Sequence, residues 1–269
     1  MRNIDIVESF IEGKLGPDTC EDALFLGEHF LGVFDGMSSP LAGDDQRSGR
    51  EFARTAVAVS RALDPDISAR EAMNVITEAL RELGVRHAGP FGAVGAIYSV
   101  ARREVWRVGD ISVRINDEEH PGIKEVDTAL AYYRAAYNAA LLAAEPGTDI
   151  AGQDPGLVAA TPLLTVQGYL ANHIGPFGYG VFNGADIPPD YIEIIPVSPG
   201  DEVVLATDGF LSAAPTLAAA EEELRAAERR DPLAIAEMQS MAKCLRSGYN
   251  AHDDRTYVRF RLNSEKKEK

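Results

Sequence analysis

Four aspartates lie at the ends of short apolar segments that are typical of buried β-strands. Asp35, Asp110 and Asp208 each follow such a segment at a glycine-containing turn, and Asp253 precedes the last one. A strand packed in a core is rigid, so a carboxylate at its end is held in a fixed position, as a metal site requires. Carboxylate, carbonyl and water oxygens are the ligands that Mg²⁺ and Mn²⁺ prefer. The four positions therefore predict a site for divalent cations.

Such a site could hydrolyse a phosphate ester. Two divalent ions about 3.5–4 Å apart can polarise a phosphoryl oxygen and lower the pKa of a water that bridges them. Without the ions the carboxylates would repel one another, so an empty site is expected to be less stable or partly protonated. The competing interpretation is that each aspartate is only a turn residue, because Asp-Gly is a common turn dipeptide. Four aspartates that all flank apolar strands favour the metal site.

The overall composition favours a globular cytoplasmic protein and argues against nucleic acid or a membrane as a partner. The chain has 26 basic and 42 acidic residues and a net charge of −16, whereas binding to nucleic acid or to an anionic membrane normally uses a basic patch. No apolar segment approaches the ~20 residues that span a bilayer, and the first residues lack the apolar region of a signal peptide. Cys20 and Cys244 form no spacing pattern, so a disulfide framework is not expected.

Motifs for other chemistries are missing from the sequence. The glycines between residues 84 and 95 are not followed by the Gly-Lys-Ser/Thr of a P-loop. The five histidines are scattered and form no pair spaced for zinc. His252 adjoins Asp253, but a packing or solvent-facing role is the more common one for such a histidine.

The order of predicted elements indicates an α+β fold with largely antiparallel sheets. Apolar segments predict strands at 22–26, 29–34, 93–100, 104–108, 111–115, 191–197, 202–206 and 256–262. Helical periodicity predicts helices at 44–63, 68–84, 127–144, 217–229 and 232–245, with an ambiguous helical stretch at 155–172. No linker divides the chain, so we expect one domain over 1–263 and a charged, disordered tail over 264–269.

Five short motifs, taken in order, resemble those of the metal-dependent protein Ser/Thr phosphatases of the protein phosphatase 2C family, bacterial type. They are Glu21-Asp22 before a strand, Asp35-Gly36-Met37 after one, the Gly109-Asp110 turn, Thr207-Asp208-Gly209, and Asp253 followed by Thr256 three residues later. They extend over nearly the whole chain, from about residue 21 to residue 262. Each motif is short, but all five in this order are fairly specific.

The resemblance implies a four-layer α-β-β-α sandwich with metals at one end of two mainly antiparallel sheets. It implies that Asp35 bridges two Mn²⁺ or Mg²⁺ ions and that the Gly36 carbonyl binds one of them. Asp208 and Asp253 would complete the other metal. These three aspartates are thus the expected catalytic residues.

The resemblance also implies roles for residues around the two metals. Glu21 and Asp22 would hold metal-bound waters, and Asp110 would share a third, weaker ion with Asp208. The predicted helical segment 127–172 lies where the family places a variable flap beside the active site. We expect this segment to shape substrate access or to form a surface for a partner.

The sequence departs from the family pattern at the positions that contact substrate. Met37 is followed by Ser38-Ser39 rather than by a small glycine-containing pair, and methionine cannot donate a proton. The arginine with which the family grips the substrate phosphate has no counterpart, and Lys14 is the nearest cation. Ile111-Ser112 replaces the usual Ser-Arg after the Gly-Asp turn. These changes affect substrate capture more than metal binding.

The expected function is hydrolysis of phosphomonoesters, most of all phosphoserine and phosphothreonine in proteins, by a metal-bridging hydroxide. A small phosphoester is the other substrate class that this chemistry allows. No covalent phospho-enzyme is expected, because no cysteine or aspartate nucleophile signature is present. The alternative is a catalytically weak or inactive module of the same fold that binds a partner in signalling.

Overall fold

The structure is a computed structural model, and it describes residues 4–37, 47–86 and 91–264. Within these ranges the strands are β1 (Ile4–Glu12), β2 (Ala23–Leu26), β3 (Phe30–Met37), β4 (Gly92–Ser99), β5 (Glu104–Val108), β6 (Ser112–Ile115), β7 (Glu118–His120), β8 (Glu193–Pro196), β9 (Glu202–Ala206) and β10 (Arg255–Leu262). The helices are α1 (Arg47–Ser60), α2 (Ala69–Arg86), α3 (Glu125–Ala144), α4 (Ile150–Gln153), α5 (Pro155–Val166) and α6 (Leu217–Arg230). Strands and helices occur in runs, as an α+β fold requires.

These strands form two five-stranded sheets. One sheet has the order β1-β10-β9-β6-β7 and the other the order β2-β3-β4-β5-β8. Every pairing between these strands is antiparallel. The sheets face each other across an apolar interior, to which Val33 and Val94 contribute from one sheet and Leu205 and Val258 from the other.

Helices cover the outer faces of both sheets. Phe52 of α1 and Ile76 of α2 pack with Phe34 of β3 in one buried cluster. On the other side, Ala220 of α6 packs with Tyr257 of β10. The layers therefore follow the order helix, sheet, sheet, helix, and the predicted four-layer α-β-β-α sandwich is confirmed.

The strand register brings the predicted site residues to one end of the sandwich. Ala23 pairs with Phe34, so the start of β2 lies beside the end of β3. Ala206 pairs with Tyr257, so the end of β9 lies beside the start of β10. β1 ends beside the same part of β10, because Glu12 pairs with Arg255. Loops that are distant in the sequence therefore open next to one another.

Two strands, β1 and β7, are not among the predicted ones. β1 alternates between exposed and partly buried positions along most of its length. Its register shifts between Ile6 and Glu8, which is a β-bulge at Val7. A bulge adds one residue to the strand and interrupts the period-two pattern on which strand prediction depends. β7 has only three residues, too few for any periodicity.

The predicted helix at 232–245 is wrong. α6 ends at Arg230, and the segment 231–254, all of which the structure describes, contains no helix. The side chain of Asp231, directly before the predicted helix, accepts hydrogen bonds from three backbone N–H groups, those of Ile235, Ala236 and Met238. Ala234 has a φ of +49°, outside helical geometry, and Arg134 donates to the carbonyl groups of Leu233 and Ala234. These bonds replace the hydrogen bonds a helix would form.

Smaller differences concern helix ends. α2 begins with a capping box, since the Glu71 carboxylate accepts a 3.1 Å bond from the Ser68 backbone N–H, but the helix continues past its predicted end at Gly84 to Arg86. Of the ambiguous stretch 155–172, only the part up to Val166 is α-helical, and a 3-10 turn follows. Three predicted features lie outside the described residues. They are the start of the first predicted helix at 44–46, Ser38-Ser39 after the Asp35 motif, and residues 265–269 of the tail.

A buried ion pair joins α3 to two later parts of the chain. Nε of Arg134 donates to Oδ2 of Asp154 at 2.8 Å, and both side chains are 1% exposed. Nδ2 of Asn138 donates to Oδ1 of the same aspartate at 2.8 Å. Arg134 also donates to the carbonyl groups of Leu233 and Ala234 in the 231–254 segment, so α3, the start of α5 and this segment are fixed together.

Within the described part of the chain, none of the helices combines the length and the apolar character that crossing a bilayer needs.

Candidate metal centre

A cavity of about 240 Å³ opens at the end of the sandwich where the loops meet. Six of the seven predicted metal-site residues line it, namely Glu21, Asp35, Gly36, Asp110, Asp208 and Asp253. The seventh, Asp22, lies behind the cavity wall and is buried. Sequence positions from 21 to 253 thus converge on one pocket.

The end of β3 is held tightly where it meets the pocket. A Cβ atom on Gly36 would lie 2.5 Å from the carbonyl oxygen of Gly49 in α1 and 2.7 Å from that of Glu21. Neither backbone oxygen can move away, so only glycine fits at this position. The backbone beside Asp35 is therefore fixed between α1 and the segment before β2.

The turn after β9 is equally close to the start of β10. A Cβ atom on Gly209 would lie 1.9 Å from the carbonyl oxygen of Asp254. This approach brings Asp208 and Asp253 into the same pocket wall. The glycine of this Asp-Gly motif is required by packing against the next motif.

Asp254 positions two segments of the pocket wall. Its Oδ1 accepts a 2.8 Å bond from the backbone N–H of Lys14, and its Oδ2 accepts a 3.0 Å bond from the backbone N–H of Glu21. The side chain is 4% exposed. The sequence motif contains this residue, but only the structure shows that it ties the segments after β1 and before β2 to β10.

Asp22 joins the two sheets beneath the pocket. Its Oδ2 accepts 2.8 Å hydrogen bonds from the hydroxyl groups of Thr207, directly after β9, and of Thr256 in β10. Its Oδ1 is buried and has no hydrogen-bond partner among the residues that the structure describes. Burial, together with the charge of Asp254, raises the pKa of Asp22 to about 8. The carboxyl group is thus poorly compensated by positive charge.

Three carboxylates of the pocket are also poorly compensated. Burial and the charge of Asp208 raise the pKa of Asp35 well above its ordinary value. Burial and the charge of Asp253 raise the pKa of Asp208. Burial raises the pKa of Asp110 to about 6, although the ammonium group of Lys124 opposes the shift. Burial is the largest cause for all three groups, and the charges of neighbouring carboxylates add to it.

Asp253 differs from the other carboxylates because two ammonium groups hold it. Nζ of Lys14 lies 2.7 Å from Oδ1, and Nζ of Lys243 lies 2.5 Å from Oδ2. Burial alone would raise the pKa of Asp253, but Lys243 and Lys14 keep it well below its ordinary range. From the sequence, Lys14 is recognisable only as the nearest cation, and Lys243 is not among the predicted site residues.

A third lysine lines the pocket on the side of Asp110. The ammonium group of Lys124 lies 2.6 Å from Oδ2 of Asp127 and 4.2 Å from the centre of the Tyr179 ring. It also approaches the sulfur of Met37 at 3.5 Å. Lys124 is 6% exposed. No motif in the sequence points to this residue, because it lies in the loop before α3 rather than beside a strand end.

Solved structures share this architecture. No protein-family model and no curated protein matches the sequence. The catalytic domain of the serine/threonine protein phosphatase PstP, in complex with two manganese ions, is 15% identical over 97% of this chain and 99% of that chain, with a TM-score of 0.53. The serine/threonine phosphatase PstP/Ppp of Mycobacterium tuberculosis is 14% identical over 97% of this chain and 99% of that chain, with a TM-score of 0.50. A bacterial serine phosphatase is 14% identical over 96% of this chain and 98% of that chain, with a TM-score of 0.51.

The chain has the fold of the metal-dependent Ser/Thr phosphatases. The resemblance carried by the five sequence motifs is therefore confirmed for the fold. In this phosphatase fold the pocket lies at the end of the sheets where the motifs meet. Ligand assignments within the pocket depend on this chain's own residues, because identities of 14–15% show the fold and not the site.

The donors on one side of the pocket fit a divalent ion. Asp35, Asp208 and Asp110 supply hard oxygen ligands, and their raised pKa values mark a lack of positive charge that a cation would remove. The residues lining the pocket include seven carboxylates and three ammonium groups, so the pocket as a whole favours an added cation. Gly36 lies in the same wall.

The side at Asp253 does not fit an ion in the same way, because ammonium groups contact both of its oxygens. Among the described residues, no group of three or more His, Cys, Asp or Glu side chains has the arrangement needed to hold a metal ion. Repulsion between uncompensated carboxylates opposes such a preformed arrangement. Binding of an ion would therefore require the side chains of Asp35 and Asp208 to adjust.

Proposed function

We propose that the protein is a metal-dependent phosphatase that hydrolyses phosphomonoesters, most of all phosphoserine or phosphothreonine in proteins. The observation that carries the proposal is the convergence of Asp35, Asp110 and Asp208 on one pocket at the end of a Ser/Thr phosphatase fold. The last part of β3 carries Asp35, and the turns after β5 and β9 carry Asp110 and Asp208, so both sheets contribute to the group. Unrelated turn residues would not be expected to meet in one cavity.

The ligands we assign to Mn²⁺ or Mg²⁺ are Asp35, Asp208 and the carbonyl group of Gly36, with Asp110 as a further donor. When bound, such an ion polarises a phosphoryl oxygen and lowers the pKa of water. Glu21 lines the same wall, and Asp22 supports it from behind, which suits the outer roles expected for them. Outer residues of this kind orient the ligands that contact a metal directly.

The chain's own cations serve to attract the substrate. Lys14, Lys124 and Lys243 all line the pocket. An ammonium group has three N–H donors, so a lysine that contacts one carboxylate can also bind a phosphate oxygen. These lysines take the place of the arginine with which related phosphatases grip phosphate. Their positive charge offsets the carboxylates that would otherwise repel a phosphate dianion.

Water, rather than a cysteine of this chain, is the nucleophile in the proposed reaction. Cys20 and Cys244 are both buried, and neither lines the pocket. Burial, with the charge of Asp22, raises the pKa of Cys20 to about 12, so this thiol stays protonated at neutral pH. Since these are the two cysteines of the chain, a phosphocysteine intermediate is not expected.

A hydrolysis assay tests the proposal. We expect Mn²⁺-dependent or Mg²⁺-dependent cleavage of 4-nitrophenyl phosphate that stops in chelator. Asp35→Asn and Asp208→Asn should each lower kcat/KM by at least ~100-fold, because loss of a residue that only orients a ligand already costs about 10–100-fold. Asp117→Asn is the matched control, since Asp117 is exposed and lies outside the pocket.

Two results would contradict the proposal. One is full activity in Asp208→Asn or in chelator. The other is a folded wild-type chain that binds Mn²⁺ but turns over neither 4-nitrophenyl phosphate nor a phosphothreonine peptide. The second result would instead support the alternative, a binding module that retains the phosphatase fold.

A further inference from the structure

The contacts of Asp253 set this pocket apart from a simple carboxylate cage. Its two oxygens contact different ammonium groups, Oδ1 that of Lys14 at 2.7 Å and Oδ2 that of Lys243 at 2.5 Å. Nζ of Lys14 also lies 3.5 Å from Oδ2 of Asp254. Both lysines contact a carboxylate that the family pattern assigns to a metal ion.

Lys14 is built into the site rather than placed there by a flexible side chain alone. Its backbone N–H donates a 2.8 Å bond to the buried carboxylate of Asp254, and its carbonyl group accepts a 3.0 Å bond from the backbone N–H of Asn250. Its side chain is 16% exposed. The residue is therefore held between the end of β1 and the segment before β10.

Lys243 also belongs to a fixed segment. The next residue, Cys244, is buried and packs with Leu224 of α6 and Met238. The thiol of Cys244 lies 3.6 Å from Oδ2 of Asp154, the carboxylate that is bound by Arg134. Formation of a helix at 232–245 is prevented by the bonds to Asp231, and the irregular path of this segment leads Lys243 to the pocket.

We propose that the ammonium groups of Lys14 and Lys243 take the place of one divalent ion at Asp253, so that this chain holds a single Mn²⁺ or Mg²⁺ beside Asp35 and Asp208. The inference rests on the proposed function and changes its metal content from two ions to one. Two ammonium groups carry the same formal charge as one divalent ion. They neutralise Asp253 and leave N–H donors for a phosphate oxygen.

Metal stoichiometry tests the inference without an activity assay. Metal-free full-length protein is titrated with MnCl₂ in a calorimeter, and we expect one Mn²⁺ per chain. Lys14→Met/Lys243→Met removes both charges and keeps side chains of similar length. In this variant Asp253 is free to bind metal, so we expect a second Mn²⁺ or tightening of Mn²⁺ binding by about tenfold or more, since nearby unit charges interact strongly in a partly enclosed site.

Lys124→Met is the matched control. It removes one ammonium group from the same pocket, but Lys124 contacts Asp127 and Tyr179 rather than Asp253. We expect its stoichiometry to stay at one. Lys243→Arg keeps the charge and should behave as the wild type. The binding of inorganic phosphate in the presence of Mn²⁺ should weaken in the double variant, because donors for the phosphate oxygens are lost.

The inference and the proposed function fail in different ways. Two Mn²⁺ ions in the wild type would overturn the inference and leave the phosphatase proposal intact. The inference is likewise overturned if Lys124→Met gains as much affinity for Mn²⁺ as the double variant does. A wild-type chain that binds no Mn²⁺ would contradict both. If the double variant does not fold, Lys243→Met decides, because the Lys243 side chain is 44% exposed and its loss leaves Lys14 in place.

Discussion

Oδ2 of Asp22, directly before β2 of one sheet, accepts a 2.8 Å hydrogen bond from the hydroxyl of Thr256 in β10 of the other sheet. Thr207 donates a second such bond to the same oxygen. Antiparallel pairing holds each sheet together internally, but these bonds join one sheet to the other at the end where the pocket opens. The pocket keeps its shape only as long as both sheets keep this relative position.

Loss of the Thr256 hydroxyl should loosen this junction. Thr256→Val removes a donor from a buried carboxylate, and we expect the free energy of unfolding to fall by about 1–3 kcal/mol. Thr256→Ser keeps the hydroxyl, so its free energy of unfolding should fall by less. Urea denaturation of both variants measures the difference. A larger loss in Thr256→Ser than in Thr256→Val would show that the methyl group of Thr256, rather than its hydrogen bond, stabilises the junction.

The raised pKa of Asp22 predicts a pH dependence of stability in the absence of divalent ions. The group titrates near 3.8 in the unfolded chain and near 8 in the folded one. Between these values the folded state binds more protons than the unfolded state, so the contribution of Asp22 to stability falls as the pH rises. It is full below about pH 4 and is lost as the pH passes through about 8. Asp110, with its pKa raised to about 6, acts in the same direction.

Asp22→Asn provides the measurement, because asparagine does not titrate and its carbonyl oxygen can accept both threonine bonds. We expect the melting temperature of the variant, measured in chelator, to rise relative to the wild type between pH 4 and pH 8. A change of 1 kcal/mol corresponds to about 2–4 °C for a chain of this size. A difference that stays constant with pH would show that Asp22 is ionised throughout.

The buried pair of Arg134 and Asp154 should be costly to break. Removing one partner leaves an uncompensated buried charge, so Arg134→Leu or Asp154→Leu should lower the free energy of unfolding by about 3–5 kcal/mol. Replacing both residues by leucine removes both charges, and we expect the double variant to be more stable than the sum of the two losses predicts. Strict additivity in this double-mutant cycle would mean that the two side chains do not interact.

The α5 side of the pocket should affect large substrates more than small ones. Leu157 and Leu164 of α5 line the cavity. Leu164→Ala widens it, so we expect KM for a phosphothreonine peptide to fall relative to KM for 4-nitrophenyl phosphate. Val166→Ala is the control, because Val166 is on the same helix but is 47% exposed and does not line the cavity. Equal changes for both substrates, or in both variants, would argue against a role of α5 in access.

Strand ends could be predicted from the sequence where an apolar segment meets a polar turn. This is why β3, β5 and β9, and with them Asp35, Asp110 and Asp208, lie where the motifs predicted. Local patterns suffice because each of these strands is buried. The predicted turn follows the strand at Asp110 and Asp208, but at Asp35 it is wrong, because Asp35 and Gly36 still pair with Val94 and Ala93 of β4. The ligand roles of these residues stay predictions.

Contacts between distant segments could not be predicted in this way. Lys243 reaches the pocket because Asp231 and Arg134 occupy the backbone groups that a helix at 232–245 would have used. Helix propensity and an Asp-Pro start favour that helix locally, and tertiary hydrogen bonds override them. Lys14 likewise follows β1, a strand that its β-bulge concealed.

The bond between Asp22 and Thr256 also bears on the order of events during synthesis. The two residues are 234 positions apart in the chain, and β10 begins only at Arg255. A nascent chain therefore has no complete pocket until its last strand has left the ribosome. Contacts of such long sequence separation form slowly, because the entropy lost in closing the loop precedes the gain from the contact. Any activity that needs the complete pocket should therefore appear only after β10 has paired with β9 and β1.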